Sequence, residues 1–369
     1  MFDQKQIIDT FMNYVKIDSE SSNEQAFSMQ LVEELKALGA EVSMDQAGAV
    51  CGSNANNIYA DFQGEVDQEP LIFSCHMDTV TPGIGIEPKV EGDLIVSAGD
   101  TILASDDKAG ITALMEAMKR IVSEGKAIRP VQFVFTISEE TGLLGAKNLD
   151  YDRLIAKKCY VLDSSGPVGK LIVQTPGQFK IKAVIHGKPA HAGIAPEKGI
   201  SALMVGAEAI SQMKLLRIDE ETTANIGTFE AVGATNIVSP IAKIVAEVRS
   251  LDLEKAGKQK DHMVECLEET ATRYGATLEL DVQKMYEPYH YQENDEIVEF
   301  VAGICRQIGV KPFPASTGGG SDANIYNARG IKTLNLGCGV TNAHTLQECI
   351  KIEDLVKLTE LAYAMMVVQ

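Results

Sequence analysis

The stretch VQFVFTISEETGLLGAKNLD (residues 131–150) passes abruptly from apolar to acidic. After Pro130 its first residues are β-branched or aromatic and read as a buried strand. The run stops at two adjacent glutamates, Glu139 and Glu140. Like charges side by side repel, so a core strand ending on them calls for positive charge nearby. Other apolar runs end in the same way. PLIFSCHMDTV (70–80) closes on His76 and Asp78, and KKCYVLDSSG (157–166) closes on Asp163. ASDD (104–107) supplies Asp106 and Asp107, and TNAHT (341–345), with His344, follows the strand-like IKTLNLG (331–337).

Between these runs lie helical patterns. SSNEQAFSMQLVEELKALGAEV (21–42) has capping residues at its start and Gly39 at its stop. DKAGITALMEAMKRIVSEG (107–125) places Ile111, Leu114, Met115, Met118 and Val122 on one face and closes at Gly125. The β-α-β order predicts an α/β fold, a mixed and mostly parallel sheet with helices on both faces. The character changes near residue 175. GQFKIKAVIHG (177–187) alternates with period two, as in a sheet with one wet face. A helix, two strands, a second helix near 254–274 and TLELDVQKMY (277–286) follow, a β-α-β-β-α-β outline of ferredoxin-like α+β type. The expected organisation is therefore residues 1–175 and 289–369 as one domain, with 176–288 inserted as a smaller one.

In open α/β sheets, ligands bind outside the carboxyl ends of the strands. The polar clusters should converge there. One strand-end aspartate is usually a turn residue or a cap; five such clusters in one framework point further. Two histidines and several carboxylates, with few basic residues between them, suit a divalent metal, and its charge would offset the glutamate pair.

The chain has 369 residues, with 33 Lys and Arg against 52 Asp and Glu, a net charge of −19. Phosphate contact needs clustered cations, so this balance argues against a nucleic-acid partner. No run approaches the ~18 apolar residues of a membrane span, and the start lacks a signal-peptide core. Seven scattered cysteines without C-x-x-C read as free thiols in a reducing cytoplasm. Cys75 precedes His76, but strand neighbours point to opposite faces, so it is read as a core thiol. No G-x-G-x-x-G opens a helix after an early strand, which disfavours a dinucleotide-dependent redox enzyme.

In this order, SCHMDTV, LASDDKAG, ISEETGLLGAK, VLDSSG, GKPAHAG, GGGSDA and NAHT resemble the co-catalytic dizinc peptidase family, which includes peptidase T, carboxypeptidase G, aminoacylase and succinyl-diaminopimelate desuccinylase. DDKAG followed by EETGLLGAK looks most like the peptidase T branch. The resemblance implies that Asp106 bridges two ions, with His76 and Asp163 on one and Glu140 and His344 on the other. The ions are expected to be Zn2+, with Co2+ or Mn2+ accepted by the same donors. Glu139 would be the general base, and Asp78 would orient the His76 imidazole. The Asp106–Asp107 peptide is expected to be cis. His191, Arg249, Asn236 and Gly319, in the glycine run of STGGGSDAN, would contact substrate, and Asp322 nearby reads as a helix cap.

One departure is notable: Gly318 stands where peptidase T carries an arginine for the peptide carboxylate. The expected reaction is hydrolysis of short peptides from the N-terminus. Carboxypeptidase or N-acyl-amino-acid deacylase chemistry is the alternative, and a non-catalytic metal-dependent binding protein a remote one. The inserted domain would act as a lid and pair across a homodimer.

Overall fold

The computed structural model describes residues 2–368. The chain divides into two compact units. The first takes the residues up to Val173, His290–Ser316 and the residues from Ser321 onward; the second takes Gln174–Tyr289 and Thr317–Gly320. The glycine-rich segment 317–320 thus groups with the inserted unit.

The first unit is built on an eight-stranded sheet in the order Glu41–Met44, Ile58–Phe62, Val131–Thr136, Leu71–His76, Lys158–Ser164, Lys332–Gly337, Lys170–Gln174, Phe313–Ser316. The four central strands run parallel. Antiparallel strands adjoin them, Ile58–Phe62 on one side and Lys170–Gln174 on the other. This is the mixed α/β sheet that the strand and helix order predicts. All six residues of Leu71–His76 are buried, as a central parallel strand requires.

Helices cover both faces, and two neighbours on that strand show it. Ser74 Oγ lies 3.1 Å from Tyr326 Oη, on the helix Asp322–Ala328. Cys75, facing the other way, packs where the helix Ser105–Glu124 brings Gly110 close. On that helix Ile111, Leu114, Met115 and Met118 are buried as expected, but Val122 is exposed. Ile121 and Val122 lie about 100° apart on the helix, and the packing covers Ile121 instead. The core centres on Phe73, whose ring meets Phe133 edge-on at 6.1 Å and Tyr160 at 6.0 Å. Burying each such side chain stabilises the fold by about 1.5–3 kcal/mol.

The second unit carries an antiparallel sheet in the order Leu216–Arg217, Thr222–Glu230, Ile241–Ser250, Gly177–His186, Thr277–Tyr286. In Ile241–Ser250 burial alternates: Ala242, Ile244, Ala246, Val248 and Ser250 are inside. The helices Ala202–Gln212 and Leu253–Tyr274 share this core through Val205, Met263 and Leu267. With the two long crossovers helical, the arrangement is ferredoxin-like.

Candidate metal centre

Parallel pairing puts the carboxyl ends of the central strands side by side, with His76 opposite Thr136. Asp163 lies near the end of the adjoining strand. Glu139 and Glu140 follow Thr136 after the turn residue Ser138, and Asp106 enters from the start of the helix Ser105–Glu124. The Asp106–Asp107 peptide is cis.

Asp106 stands between the two histidines. Its Oδ1 lies 3.1 Å from His76 Nε2 and its Oδ2 lies 3.3 Å from His344 Nε2. Asp163 Oδ1 is 3.7 Å from His76 Nε2, and Glu140 Oε1 is 2.8 Å from His344 Nε2. Each histidine therefore faces one oxygen of the shared aspartate and one further carboxylate. His76, Asp106 and Glu140 bring ligand atoms within 4.8 Å of one another, as do His76, Asp107 and Asp163. Cys75, buried among core residues, belongs to neither group.

The electrostatics explain what such a cluster requires. Burial first, then the charge of Asp106, pushes the Asp163 carboxyl up to about 8, against the pull of His76. Burial and the charges of Asp163 and Glu140 push Glu139 well above the carboxylate range, with His76 opposing. Glu140 is raised by burial and by Asp106, against its bond to His344. Asp106 behaves oppositely: burial opposes ionisation, but hydrogen bonds from His344 and His76 prevail and hold it low. Burial also opposes the His76 cation, yet the neighbouring carboxylates of Asp106, Asp163 and Asp78 outweigh it and raise the imidazole. Bonds to Asp106 and Glu140 lift His344 to about 10.

Among the described residues, the ion pairs of these carboxylates are with histidine, not with lysine or arginine. Lys108, two residues past Asp106, sends its ammonium to the Ile17 carbonyl at 2.7 Å and over the Phe27 ring. Buried there, it falls to about 7. Two imidazoles and an excess of buried carboxylate without a fixed cation make a donor set suited to divalent metal. That answers the question raised by the paired glutamates in terms of charge.

Three buried carboxylates organise the surrounding backbone. Asp78 was expected to orient His76 through its carboxylate. In the structure the His76 Nδ1 contact at 2.8 Å is with the Asp78 main-chain carbonyl, and the carboxylate is 3.5 Å away. The carboxylate accepts instead from Glu139 N at 2.8 Å, Glu140 N at 3.2 Å and Ser21 Oγ at 2.6 Å. The reason is geometric: the turn after Thr136 aims two successive N–H groups at Asp78, and an ionised carboxylate has acceptor sites for both.

Glu24 Oε1 accepts from Ser138 N at 3.0 Å and Ser138 Oγ at 3.1 Å, holding Ser138 at φ 50°. Glu348 takes donors from the segment 103–106, which leads into the helix that carries Asp106 and includes its first two residues. Neither Glu24 nor Glu348 was singled out from the sequence. Their partners are remote in the chain, and periodicity gives no signal for them.

Asp322 differs from its expected role as a cap. Ser321 caps the helix, and the buried Asp322 carboxylate accepts from Thr136 Oγ1 at 2.6 Å. Gly145 lies so close to the Ile137 carbonyl that a Cβ would meet it at 2.3 Å, which accounts for the glycine in GLLGA.

The remaining candidates belong to the second unit. His191 and Asn236 lie on adjoining loops, where Ala192 N donates to the Asn236 carbonyl at 2.9 Å. Arg249 pairs with Glu247 on its own strand, Nε to Oε1 at 2.9 Å and Nη2 to Oε2 at 3.1 Å. Its Nη1 donates to the Gly318 carbonyl at 3.2 Å, one residue before Gly319.

Comparison with known proteins agrees with this architecture. The family model described as peptidase family M20/M25/M40 matches residues 72–367. The Bacillus subtilis protein YqjE is 42% identical over 364 residues, 99% of this chain and 98% of the relative. The crystal structure of aminopeptidase PepT from Bacillus cereus is 42% identical with a TM-score of 0.88, covering 99% of this chain and 98% of that one. A tripeptidase from Staphylococcus aureus is 38% identical with a TM-score of 0.93 over the same shares.

Proposed function

The chain belongs to peptidase family M20/M25/M40, and from that premise we propose that it removes the N-terminal residue of short peptides, with two divalent cations held between His76, Asp163, Asp106, Glu140 and His344. The observation that carries this reading is the Asp106 carboxylate, with one oxygen toward each histidine at 3.1 and 3.3 Å. Asp106 would be shared, His76 and Asp163 would complete one site, and Glu140 and His344 the other. Zinc suits this donor set, as do cobalt and manganese. Such a cation pair would polarise the scissile carbonyl and make water a nucleophile at neutral pH.

The chain's own groups do the rest. Glu139 takes the proton from the attacking water and hands it to the leaving amine. Asp78, through Glu139 N and Glu140 N, fixes the base relative to its neighbour. On the family resemblance, His191, Arg249, Asn236 and Gly319 are the substrate-contacting residues, the inserted domain acts as a lid, and the chain forms a homodimer through it. A cytoplasmic location completes the proposal; among the described residues no helix is long and apolar enough to cross a membrane.

A second reading has its own support. Gly318 replaces a carboxylate-binding arginine, and Arg249 is already engaged by Glu247 and the Gly318 carbonyl. Both leave room for an N-acyl amino acid or a C-terminal cleavage. The deciding assay sets the metal-reconstituted protein and Glu139→Ala against a free tripeptide and its N-acetylated form. Cleavage of the free peptide, reduced by a factor on the order of 10²–10⁴ in the variant, supports the aminopeptidase reading. Preference for the blocked form moves the function to deacylation or carboxypeptidase action. Equal rates in both proteins remove Glu139 from the mechanism.

A further inference from the structure

We propose that Glu348 is a positioning residue that locks the Asp106 and His344 ends of the centre together, so that its loss weakens binding of one cation more than that of the other. This rests on the two-cation reading above. Glu348 is buried, and its carboxylate accepts four donors in succession along one segment. Oε2 takes Leu103 N at 2.9 Å and Ala104 N at 3.0 Å. Oε1 takes Ser105 Oγ at 2.6 Å and Asp106 N at 3.1 Å. Between them lies Ala104, at φ 58°, a left-handed conformation that an alanine adopts only when its surroundings impose it. An ionised carboxylate has about four acceptor sites, and all are used here; an amide offers one oxygen and turns N–H groups toward the other donors.

Glu348 lies four residues past His344, in a loop closed on itself. Thr345 Oγ1 donates to the Asn342 carbonyl at 2.8 Å, Gln347 N to Thr345 Oγ1 at 3.2 Å, and Glu348 N to the Thr345 carbonyl at 3.0 Å. His344 itself sits at φ 63°. The loop is anchored beyond by Ile350, paired with Val340 and Ile95. A movement at Glu348 therefore displaces both the segment that presents Asp106 and the loop that presents His344. His76 and Asp163 are held otherwise, on hydrogen-bonded central strands. With the shared Asp106 and His344 both displaced, the site completed by Glu140 and His344 loses the position of two ligands and should suffer more than the site completed by His76 and Asp163, which loses one.

The test is titration of the metal-free protein with Co2+, followed by visible absorption and by metal content after dialysis. Wild type should take two equivalents. Glu348→Gln should bind one equivalent about 10–100-fold more weakly and weaken the other step less. Its one-cobalt spectrum should match that of His344→Ala. Ser105→Ala, which removes one of the four donors, should shift the same step less. Glu116→Gln is the structural control. Glu116 is another buried carboxylate, on the same helix as Asp106, accepting from Gln6, Thr10 and Lys119. It should lower thermal stability and leave both cobalt steps unchanged. Two wild-type steps in Glu348→Gln, or equal metal loss in Glu116→Gln, overturns the proposal. If Glu348→Gln fails to fold, an unshifted step in Ser105→Ala overturns it. Fewer than two equivalents in wild type removes the two-cation reading, and this proposal falls with it.

Discussion

Asp163→Asn should stabilise the metal-free protein and destabilise the metal-loaded one. Without metal, burial and the charge of Asp106 push the Asp163 carboxyl up to about 8 in the folded chain, against about 3.9 when unfolded. A carboxyl raised in this way contributes stability that is fully present below about pH 4 and is lost as pH rises through 8. Each pH unit in that window is worth about 1.4 kcal/mol. From pH 5 to pH 7 the wild type should therefore lose on the order of 3 kcal/mol at this one residue. Asparagine has nearly the same shape and no charge to bury, so the variant escapes that loss.

Bound cations reverse the sign. They bind the folded state alone, adding about 2.7 kcal/mol per site at a hundred times the dissociation constant, and the variant has lost an anionic ligand. Urea unfolding of both proteins at pH 5, 6 and 7, with chelator and then with saturating zinc, measures the two effects. A wild-type–variant difference that stays constant with pH in chelator would refute the electrostatic account of this cluster. A variant that keeps in zinc the full stability advantage it has in chelator would remove Asp163 from the ligand set.

Two further outcomes follow from the packing. Asp78→Asn exchanges one acceptor for a donor facing Glu139 N and Glu140 N. It should cut kcat by about 10–100-fold with less effect on KM, as steady-state kinetics on the preferred peptide would show. Gly110→Ala puts a Cβ 2.5 Å from Asp107 Oδ1, 2.6 Å from the Leu162 carbonyl and 2.8 Å from Cys75 Sγ. Two of these atoms belong to strands that cannot retreat, so overpacking of at least about 1–3 kcal/mol should appear as a lower melting temperature.

Much of this chain is legible locally. The helix Ser105–Glu124 is legible from its apolar spacing and its stop at the left-handed Gly125, although it begins two residues before the expected 107, and Leu253–Tyr274 matches the helix expected near 254–274. The period-two run at 177–186 marks an antiparallel strand, and the mostly apolar 71–75 marks a buried one. The order of histidine and carboxylate motifs carries the family. Where local pattern misled, packing made the choice: it covers Ile121 rather than Val122, and Ser321 rather than Asp322 takes the cap.

The sequence by itself determined the element types and which titratable side chains end the strands, because these depend on periodicity and on residues a few positions apart. Only the tertiary structure decided which groups meet. Asp106 shares its two oxygens between histidines 30 residues before it and more than 200 after it. The Asp78 carboxylate holds the backbone of Glu139 and Glu140, while its main-chain carbonyl meets the imidazole of His76. Glu348 reaches a segment about 240 residues away to satisfy four donors. A buried polar group must find partners wherever the fold supplies them, and no local pattern encodes where that is.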